Sequence, residues 1–556
     1  MVKSAQHTGT GPTIPDAVKH ILAARGMSNA DMEVFLFPDY TRDLHNPMLL
    51  NGMAAAIARI QQAAQLHEQV VIYGDYDIDG ITASAVMIEG LAWLGIKALS
   101  YIPDRFEEGY GINRAALEQL QLNGAQLVIS VDCGITSIDE ALWAKQHGLD
   151  LIITDHHAVP EVLPEAIAVI NPKRADDKYP FKELAGVGVA FKVVQALQAH
   201  CDDLPPGQEK WLLDLVAMGT ICDVVPLTGE NRVLASFGLK VLRQTRRIGL
   251  RALSEVGGVD IANITAYDVG FVLGPRLNAA GRLEHAARSL ELVLTHDIDT
   301  AHVTASELEK LNTKRRADQA RILVQADSMA AQYLNDQVLV LADPDWSHGV
   351  VGIVASKLAE KWQKPVLLAQ VLGERVKGSA RSVAGFNMVD ALRSQAPILE
   401  KFGGHFFAAG YTLASSNLSE LRRGLNDYYL TNMVARMNVT AAAADIVMMD
   451  LEKVDAVLME NLSLLEPHGN ANPRPKVSLS GLKILATRRV GADKKHLSLK
   501  LIDGLRRPIN AIGFGLAERF SSIPVESVVQ VSGTLNNNEF QGKTSIQMVL
   551  SDINYE

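Results

Sequence analysis

Three carboxylates fall within five residues at Gly74-Asp75-Tyr76-Asp77-Ile78-Asp79-Gly80. Ionised carboxylates held that close repel one another, and cations relieve the repulsion. Oxygen ligands of this kind suit hard divalent ions such as magnesium or manganese. The same acids would also cap a helix N-terminus and favour its dipole, so the motif alone leaves both readings open. Three weaker signals follow. Asp132 ends an apolar run in Val131-Asp132-Cys133-Gly134, where an Asp is commonly a turn residue. Asp155-His156-His157 follows another apolar run, and imidazole beside carboxylate suits manganese, iron or zinc. Asp223 interrupts the apolar Ile221-Cys222-Asp223-Val224-Val225-Pro226, where a buried carboxylate needs a partner or a metal.

Distant stretches can converge only if the elements carrying them share a face. Short β-branched runs predict strands at 70–73, 98–102, 127–131 and 151–154, alternating with helices near 81–94, 114–122 and 137–147. Alternation with continuously apolar strands predicts a parallel sheet covered on both faces. Ligands gather beyond the carboxyl ends of such strands, where Asp75, Asp77, Asp79, Asp132 and His156 all fall. The set suffices for two metals ~3.5–4 Å apart sharing a carboxylate, an arrangement that acidifies water and clamps a phosphoryl oxygen. Its natural chemistry is phosphate-ester hydrolysis.

The remaining chain reads as further units. Residues 186–294 are mostly helical, and 300–334, free of Gly and Pro, predicts one long bridging helix. A second α/β unit follows, with strands at 338–341 and 366–370 and helices near 350–362 and 387–395. Short strands beyond about residue 443 suggest a small barrel or sandwich. The fold class is therefore α/β and multidomain: an N-terminal lead-in (1–52), a parallel-sheet catalytic domain (53–299), the bridging helix (300–335), a smaller α/β domain (336–442) and a C-terminal β-barrel (443–556).

Composition narrows the class. With 556 residues, 48% hydrophobic and 21% charged, the chain is not largely disordered. No run of about 18 uninterrupted apolar residues predicts a membrane span, and no secretory signal is evident at the N-terminus. Three scattered cysteines exclude a disulfide framework and fit the cytoplasm. The net charge of −10 argues mildly against a nucleic-acid coat protein but leaves room for a nucleic-acid enzyme with a local basic groove.

The ordered set Asp75-Tyr-Asp77-Ile-Asp79-Gly, Asp132, Asp155-His156-His157 and Asp223 resembles the four motifs of the DHH phosphoesterase superfamily. Pro103-Asp-Arg105, Glu108-Gly-Tyr110-Gly111, Ala185-Gly186-Val-Gly188 and Gly274-Pro-Arg276-Leu-Asn278-Ala-Ala-Gly-Arg282 resemble its RecJ family of single-strand-specific 5′→3′ DNA exonucleases. The resemblance runs from about Leu44 to the C-terminus. It implies metal ligation by Asp77, Asp79, Asp132, His156 and Asp223, with Asp132 bridging and Asp75 a ligand or its support. It implies that His157 contacts the scissile phosphate or the bridging carboxylate and that Asp155 orients a histidine. Phosphate or DNA contacts are implied at Arg105, Tyr110, Arg276, Asn278 and Arg282.

The second unit holds Ser347-His348-Gly349, Lys377-Gly378-Ser379-Ala380-Arg381 and Phe402-Gly403-Gly404-His405-Phe406-Phe407. Glycines let backbone approach phosphate and Arg adds a bidentate grip, although Gly-Gly by itself is ordinary turn chemistry. The segments resemble a DHH-associated domain, which implies that Ser379, Arg381, Gly404 and His405 hold substrate phosphate. In the barrel, Arg488, Arg489, Lys494, Lys495, Lys500, Arg506 and Arg507 face only Asp493 and Asp503 nearby. That surplus reads either as a strand-tracking groove or as a solvated face; the strand count and the resemblance favour an oligonucleotide-binding (OB) fold. Phe514 and Phe540 are candidate stacking platforms, although strand aromatics more often lie in the core.

The expected function is a single-stranded-DNA-specific 5′→3′ exonuclease using two divalent ions, manganese or magnesium, and releasing 5′-mononucleotides. The expected setting is DNA recombination and repair in the cytoplasm, as a monomer without a membrane. The resemblance suggests a single-stranded-DNA-binding protein and a helicase as collaborators. The alternative is a DHH-superfamily phosphoesterase acting on short oligonucleotides or pyrophosphate, which would not need the barrel or the bridging helix. A non-catalytic single-strand-binding factor is disfavoured by the complete acid and histidine set.

Overall fold

The computed structural model describes residues 14–105, 108–200, 204–433, 446–520, 522–540 and 543–555. Its first sheet is wholly parallel: β1 (Val70–Tyr73), β2 (Leu99–Tyr101), β3 (Leu127–Val131), β4 (Asp150–Thr154) and β5 (Ala168–Ile170), in the order β2-β1-β3-β4-β5. All side chains of β1 and β3 are buried, as a sheet covered on both faces demands. On one face Ile72, Ile129 and Ile152 pack against the helices Met53–Leu66, Ile78–Ala92 and Gly186–Ala199. On the other, Val71, Val128 and Ile153 meet Arg114–Leu122 and Ile138–Gln146. The strand order reverses between β1 and β3, the crevice where open α/β sheets bind ligands.

The bridging helix is Ile298–Ala330, 33 residues and about 50 Å long at 1.5 Å per residue. Its apolar positions Leu308, Ile322 and Ala326 are buried, the first against the catalytic unit and the others against the second unit. The second sheet comprises β6 (Leu339–Asp343), β7 (Val366–Leu372), β8 (Arg375–Arg381), β9 (Leu399–Gly404) and β10 (Ala408–Ala414), ordered β6-β7-β8-β10-β9. Only β6 and β7 pair in parallel; the segments around Ser379 and Gly404 are antiparallel strands.

The third sheet is a barrel. It is built from β11 (Ile446–Met449), β12 (Lys476–Val490), β13 (His496–Ile502), β14 (Pro508–Gly513), β15 (Val528–Phe540) and β16 (Lys543–Tyr555). The ring runs β12-β13-β14-β16-β15 and closes through β12–β15, while β11 adds in parallel to β12. Closure removes exposed edges, as in OB folds. The 477–479 and 482–485 segments form one strand, with a register shift between Leu479 and Leu482. The N-terminal helices Asp16–Ala24 and Asn29–Leu36 bury Val18, Leu22 and Phe35 with Leu465. Among the described residues no helix is long and apolar enough to cross a membrane.

Candidate metal centre and phosphate grip

The loop after β1 turns directly into the helix Ile78–Ala92. Asp77 caps it, accepting from the amides of Asp79 (2.9 Å) and Gly80 (3.2 Å), so the capping role holds for one of the three acids. Asp79, inside the first turn, accepts from the amides of Gly186 (2.7 Å) and Val187 (3.0 Å) at the start of Gly186–Ala199. Asp75 is buried, and its Oδ1 has no partner. Asp132 leaves β3 at φ 61°, a left-handed conformation uncommon outside glycine, and its buried Oδ1 makes no hydrogen bond. A Cβ on Gly186 would lie 2.4 Å from that oxygen, so glycine there is what lets the carboxylate sit against the helix start.

These groups converge. His156 Nε2 lies 3.2 Å from Asp132, 3.6 Å from Asp223 and 3.8 Å from Asp79, and neither ring nitrogen has a hydrogen-bond partner. Ligand atoms of Asp79, His156 and Asp223 lie within 4.8 Å of one another, as do those of Asp75, Asp77 and Asp132 and of Asp132, His156 and His157. Burial, then Asp77, holds the carboxyls of Asp75 and Asp79 above the usual range; burial, then Asp79, does the same for Asp132 and Asp223. Buried acids that repel one another, facing an imidazole with bare nitrogens, fit divalent cations.

His157 is oriented from behind. The fully buried Asp155 accepts from the amides of Ile135, His156 and His157, and its Oδ1 lies 2.7 Å from His157 Nδ1. Burial opposes ionisation of Asp155, but the His157 bond outweighs it and brings the pKa to about 2. Asp155 is therefore an acceptor only, and His157 must donate through Nδ1. Burial lowers the His157 pKa, and the Asp155 bond with the neighbouring carboxylates overcomes this and raises it. Tyr110 Oη lies 3.0 Å from the same nitrogen. His405 faces His157 with near-parallel rings, centroids 6.1 Å apart.

Arg105 stacks over Tyr76 at 4.6 Å. Arg282 donates to the Gly349 carbonyl (3.3 Å), and burial, then Arg105, lowers its pKa. Ser379 and Arg381 lie on β8 beside Gly352, with Arg381 Nε donating to Ser356 Oγ (3.1 Å). Gly404, at φ 147°, leaves no room for a Cβ against the Ala408 carbonyl. Two expected phosphate contacts are engaged elsewhere. Arg276 pairs with Glu309 of the bridging helix (2.5 Å) and the Val272 carbonyl, and the Asn278 side chain accepts from the Ile78 amide (2.9 Å). Arg488, Arg489, Lys494 and Lys495 are exposed on the barrel, remote in sequence from the cluster, and Lys495 pairs with Asp493 at 3.3 Å. Phe514 is 62% exposed rather than core. The Phe540 side chain lies outside the described residues.

Several contributors have no role assigned from the sequence, and of these only His348 lies in a segment that stands out, Ser347-His348-Gly349. Asn171 holds the His157 carbonyl (3.0 Å). Lys173 is the cation whose charge counters the raised pKa of Asp223. His348, at the start of His348–Trp362, has a buried Nδ1 without a partner, and burial, then Lys377, lowers its pKa to about 4. Asn470 donates to the carbonyl of Val224, whose φ of 63° shapes the turn after Asp223. Asn171, Lys173 and Asn470 are marked out only by what they meet in the fold, namely His157, Asp223 and Val224, and His348 by its burial.

Three family models match in chain order: "DHH family, N-terminal domain" over 69–220, "DHHA1 domain" over 335–430 and "RecJ OB domain" over 447–552. The single-stranded-DNA-specific exonuclease RecJ of Bacillus subtilis is 37% identical over 97% of this chain and 68% of its own. The chain belongs to the RecJ family. The RecJ of Thermus thermophilus, solved in complex with Mn2+, superposes with a TM-score of 0.78 at 29% identity, covering 98% of this chain and 79% of that one. The same RecJ with Mg2+ gives 0.74 at 28%, over 98% and 78%.

Proposed function

We propose that the protein is a metal-dependent, single-stranded-DNA-specific exonuclease that degrades from the 5′ end and releases 5′-mononucleotides. The convergence of Asp75, Asp77, Asp79, Asp132, His156 and Asp223 on one crevice, with buried oxygens and imidazole nitrogens lacking partners, carries the reading. Those side chains would hold two divalent ions, manganese or magnesium, with Asp132 shared. Ions bound there supply Lewis acidity and an activated water for phosphodiester hydrolysis.

The chain's own groups do the rest. His157, its Nδ1 held by Asp155 at 2.7 Å, presents Nε2 to a phosphate oxygen, where a fixed donor stabilises added negative charge. Ser379 and Arg381, with Arg105, Arg282, Gly404 and His405, grip the terminal 5′ phosphate and fix the distance to the cut. A passage admitting one strand excludes duplex sterically, and the barrel's exposed Arg488, Arg489, Lys494 and Lys495 draw the strand in. In this proposal 53–299 is the catalytic unit, 300–335 the bridge, 336–442 the phosphate-binding unit and 443–556 the strand-binding unit, preceded by 1–52. The setting is recombination and repair in the cytoplasm, as a monomer working with a single-stranded-DNA-binding protein and a helicase.

The test is digestion of end-labelled single-stranded and duplex DNA with manganese, magnesium or chelator. Loss of a 5′ label as mononucleotide from the single strand alone, abolished by chelator, is expected. Full activity in chelator, or equal attack on both ends, would sink the proposal. Hydrolysis confined to pyrophosphate or very short oligonucleotides would favour the small-substrate alternative.

A further inference from the structure

A groove of about 1260 Å³ lies between the helical part of the catalytic unit and the barrel, and Ile221, Cys222 and Val224 line it, so it opens beside Asp223. Tyr267 and Phe271 stand on its wall, 62% and 70% exposed. Their rings stack, with centroids 4.8 Å apart and planes 24° from parallel. Adjoining exposed aromatics of this size mark a surface meant to be covered. Phe514, on the barrel side of the same groove, is 62% exposed.

The pair rides on an interrupted helix. The turn Ala266–Asp268 passes into a π-helical turn, Val269–Leu273, and then into Gly274–Leu283. Single π turns inside helices are frequent at functional sites. The Cys222 thiol, next to Asp223, donates to the Val269 carbonyl at 3.6 Å. Farther along, Asn278 accepts from the Ile78 amide at the start of the helix bearing Asp79. One continuous element thus links the aromatic wall to both sides of the carboxylate cluster.

We propose that Tyr267 and Phe271 form a base-stacking platform for the single strand on the 3′ side of the scissile bond, with Phe514 closing on it from the barrel. This rests on the reading of the chain as a single-strand exonuclease. Every base has a π face, so a stacked pair accepts a strand of any sequence as it advances. Charge suits the occupant: Lys240, Arg243 and Arg474 line the groove against Asp268 and Glu466, and the Asp268 carboxylate is already taken by Thr265. No described residue of the second unit lines the groove. With the 5′ phosphate held at Ser379 and Arg381, the part of the strand left for the groove lies 3′ of the cut.

The experiment uses the full chain with Tyr267→Ala, Phe271→Ala, the double variant, Phe271→Trp and Phe271→Leu. Binding is measured in chelator, where nothing is cut, on a 5′-phosphorylated oligonucleotide of about 20 nucleotides carrying 2-aminopurine, longer than one barrel's usual site of about 4–16. Each alanine should weaken binding about 5- to 100-fold and abolish the stacking quench of 2-aminopurine. Phe271→Trp should restore both and Phe271→Leu neither. With manganese, the ratio of kcat/KM on the long substrate to that on one of about 3 nucleotides should fall by a similar factor. Wild-type affinity in the double variant, full rescue by leucine, or equal losses on long and short substrates would overturn the platform. A wild-type protein that cuts no single strand would instead refute the functional reading, and the chelator binding arm would still judge the platform.

Discussion

Asn278 reaches across from the helix Gly274–Leu283 and accepts the Ile78 amide at 2.9 Å, so the first turn of the helix carrying Asp79 is tied to the wall of the groove. Asp77 already takes the amides of Asp79 and Gly80, and Asn278 supplies an acceptor for a third amide of that turn. Asn278→Ala should destabilise the protein by about 1 kcal/mol. It should also lower kcat by about 10- to 100-fold through misplacement of Asp77 and Asp79, with KM for single-stranded DNA changed far less. A variant whose KM rises while kcat holds would make Asn278 a DNA contact instead.

Gly186 sets how closely Asp132 approaches. A methyl at Gly186 would press on the Asp132 carboxylate at 2.4 Å, and that carboxylate sits on a left-handed residue with little freedom to retreat. Gly186→Ala should weaken Mn2+ binding, measured by calorimetry, and cut cleavage by at least about 100-fold. Asp132→Ala should abolish cleavage and leave single-strand binding intact. Normal degradation by Asp132→Ala would refute the shared-ligand assignment.

Metal should act as a stabiliser as well as a cofactor. Asp75, Asp79 and Asp132 are buried, the acids of the cluster repel one another, and Asp75 Oδ1 and Asp132 Oδ1 accept no hydrogen bond. A ligand present at a hundred times its Kd adds about 2.7 kcal/mol to the folded state. Thermal scans should therefore show Tm rising with Mn2+ or Mg2+ and falling back with chelator. Asp132→Asn removes a repelling charge, so it should raise the chelated Tm while losing most of the metal-dependent increment. An unchanged Tm on metal addition to the wild type would contradict the site.

Much of this was legible because parallel-sheet chemistry is local: an apolar run followed by an acid places that acid at a strand's carboxyl end, and Asp75, Asp132 and His156 lie there. The short strands left barrel and sandwich both open, and the family resemblance favoured the barrel that the closed ring shows. Three features were not legible. The strand through Gly404 is mostly exposed and ends in Gly-Gly, which reads as a turn, and the strand through Ser379 alternates in burial but carries only small residues, Gly378 and Ala380, beside Val376 on its buried face, so its pattern is faint in the sequence. The π turn at Val269–Leu273 keeps a helical pattern, and nothing local distinguishes it from an α turn. Arg276 and Asn278 share a motif with Arg282, yet their partners, Glu309 and the Ile78 amide, are fixed by packing between elements that spacing does not reveal.

Arg232 provides the last test, because it joins three parts of the chain at once. Its guanidinium is buried and lies 3.6 Å from the centroid of the Phe35 ring. It donates to the carbonyls of Phe35 (2.6 Å), Leu464 and Leu465 (both 3.2 Å) and Glu466 (2.9 Å). Those last three acceptors belong to the segment leading from the helix Ala456–Ser463 to the barrel strands, and Asn470 in the same segment holds Val224 beside Asp223. A lysine cannot reproduce the planar fork. Each buried carbonyl left unsatisfied is worth about 1–3 kcal/mol, so Arg232→Ala should lower unfolding free energy by about 3 kcal/mol even after the segment relaxes. Urea titration measures that loss, and limited proteolysis should find new cuts between residues 464 and 475. Activity should fall more on long strands than on short ones, since the barrel is then poorly held against the groove. A wild-type urea midpoint for Arg232→Ala would show that the segment finds other partners and that this joint is not what fixes the barrel.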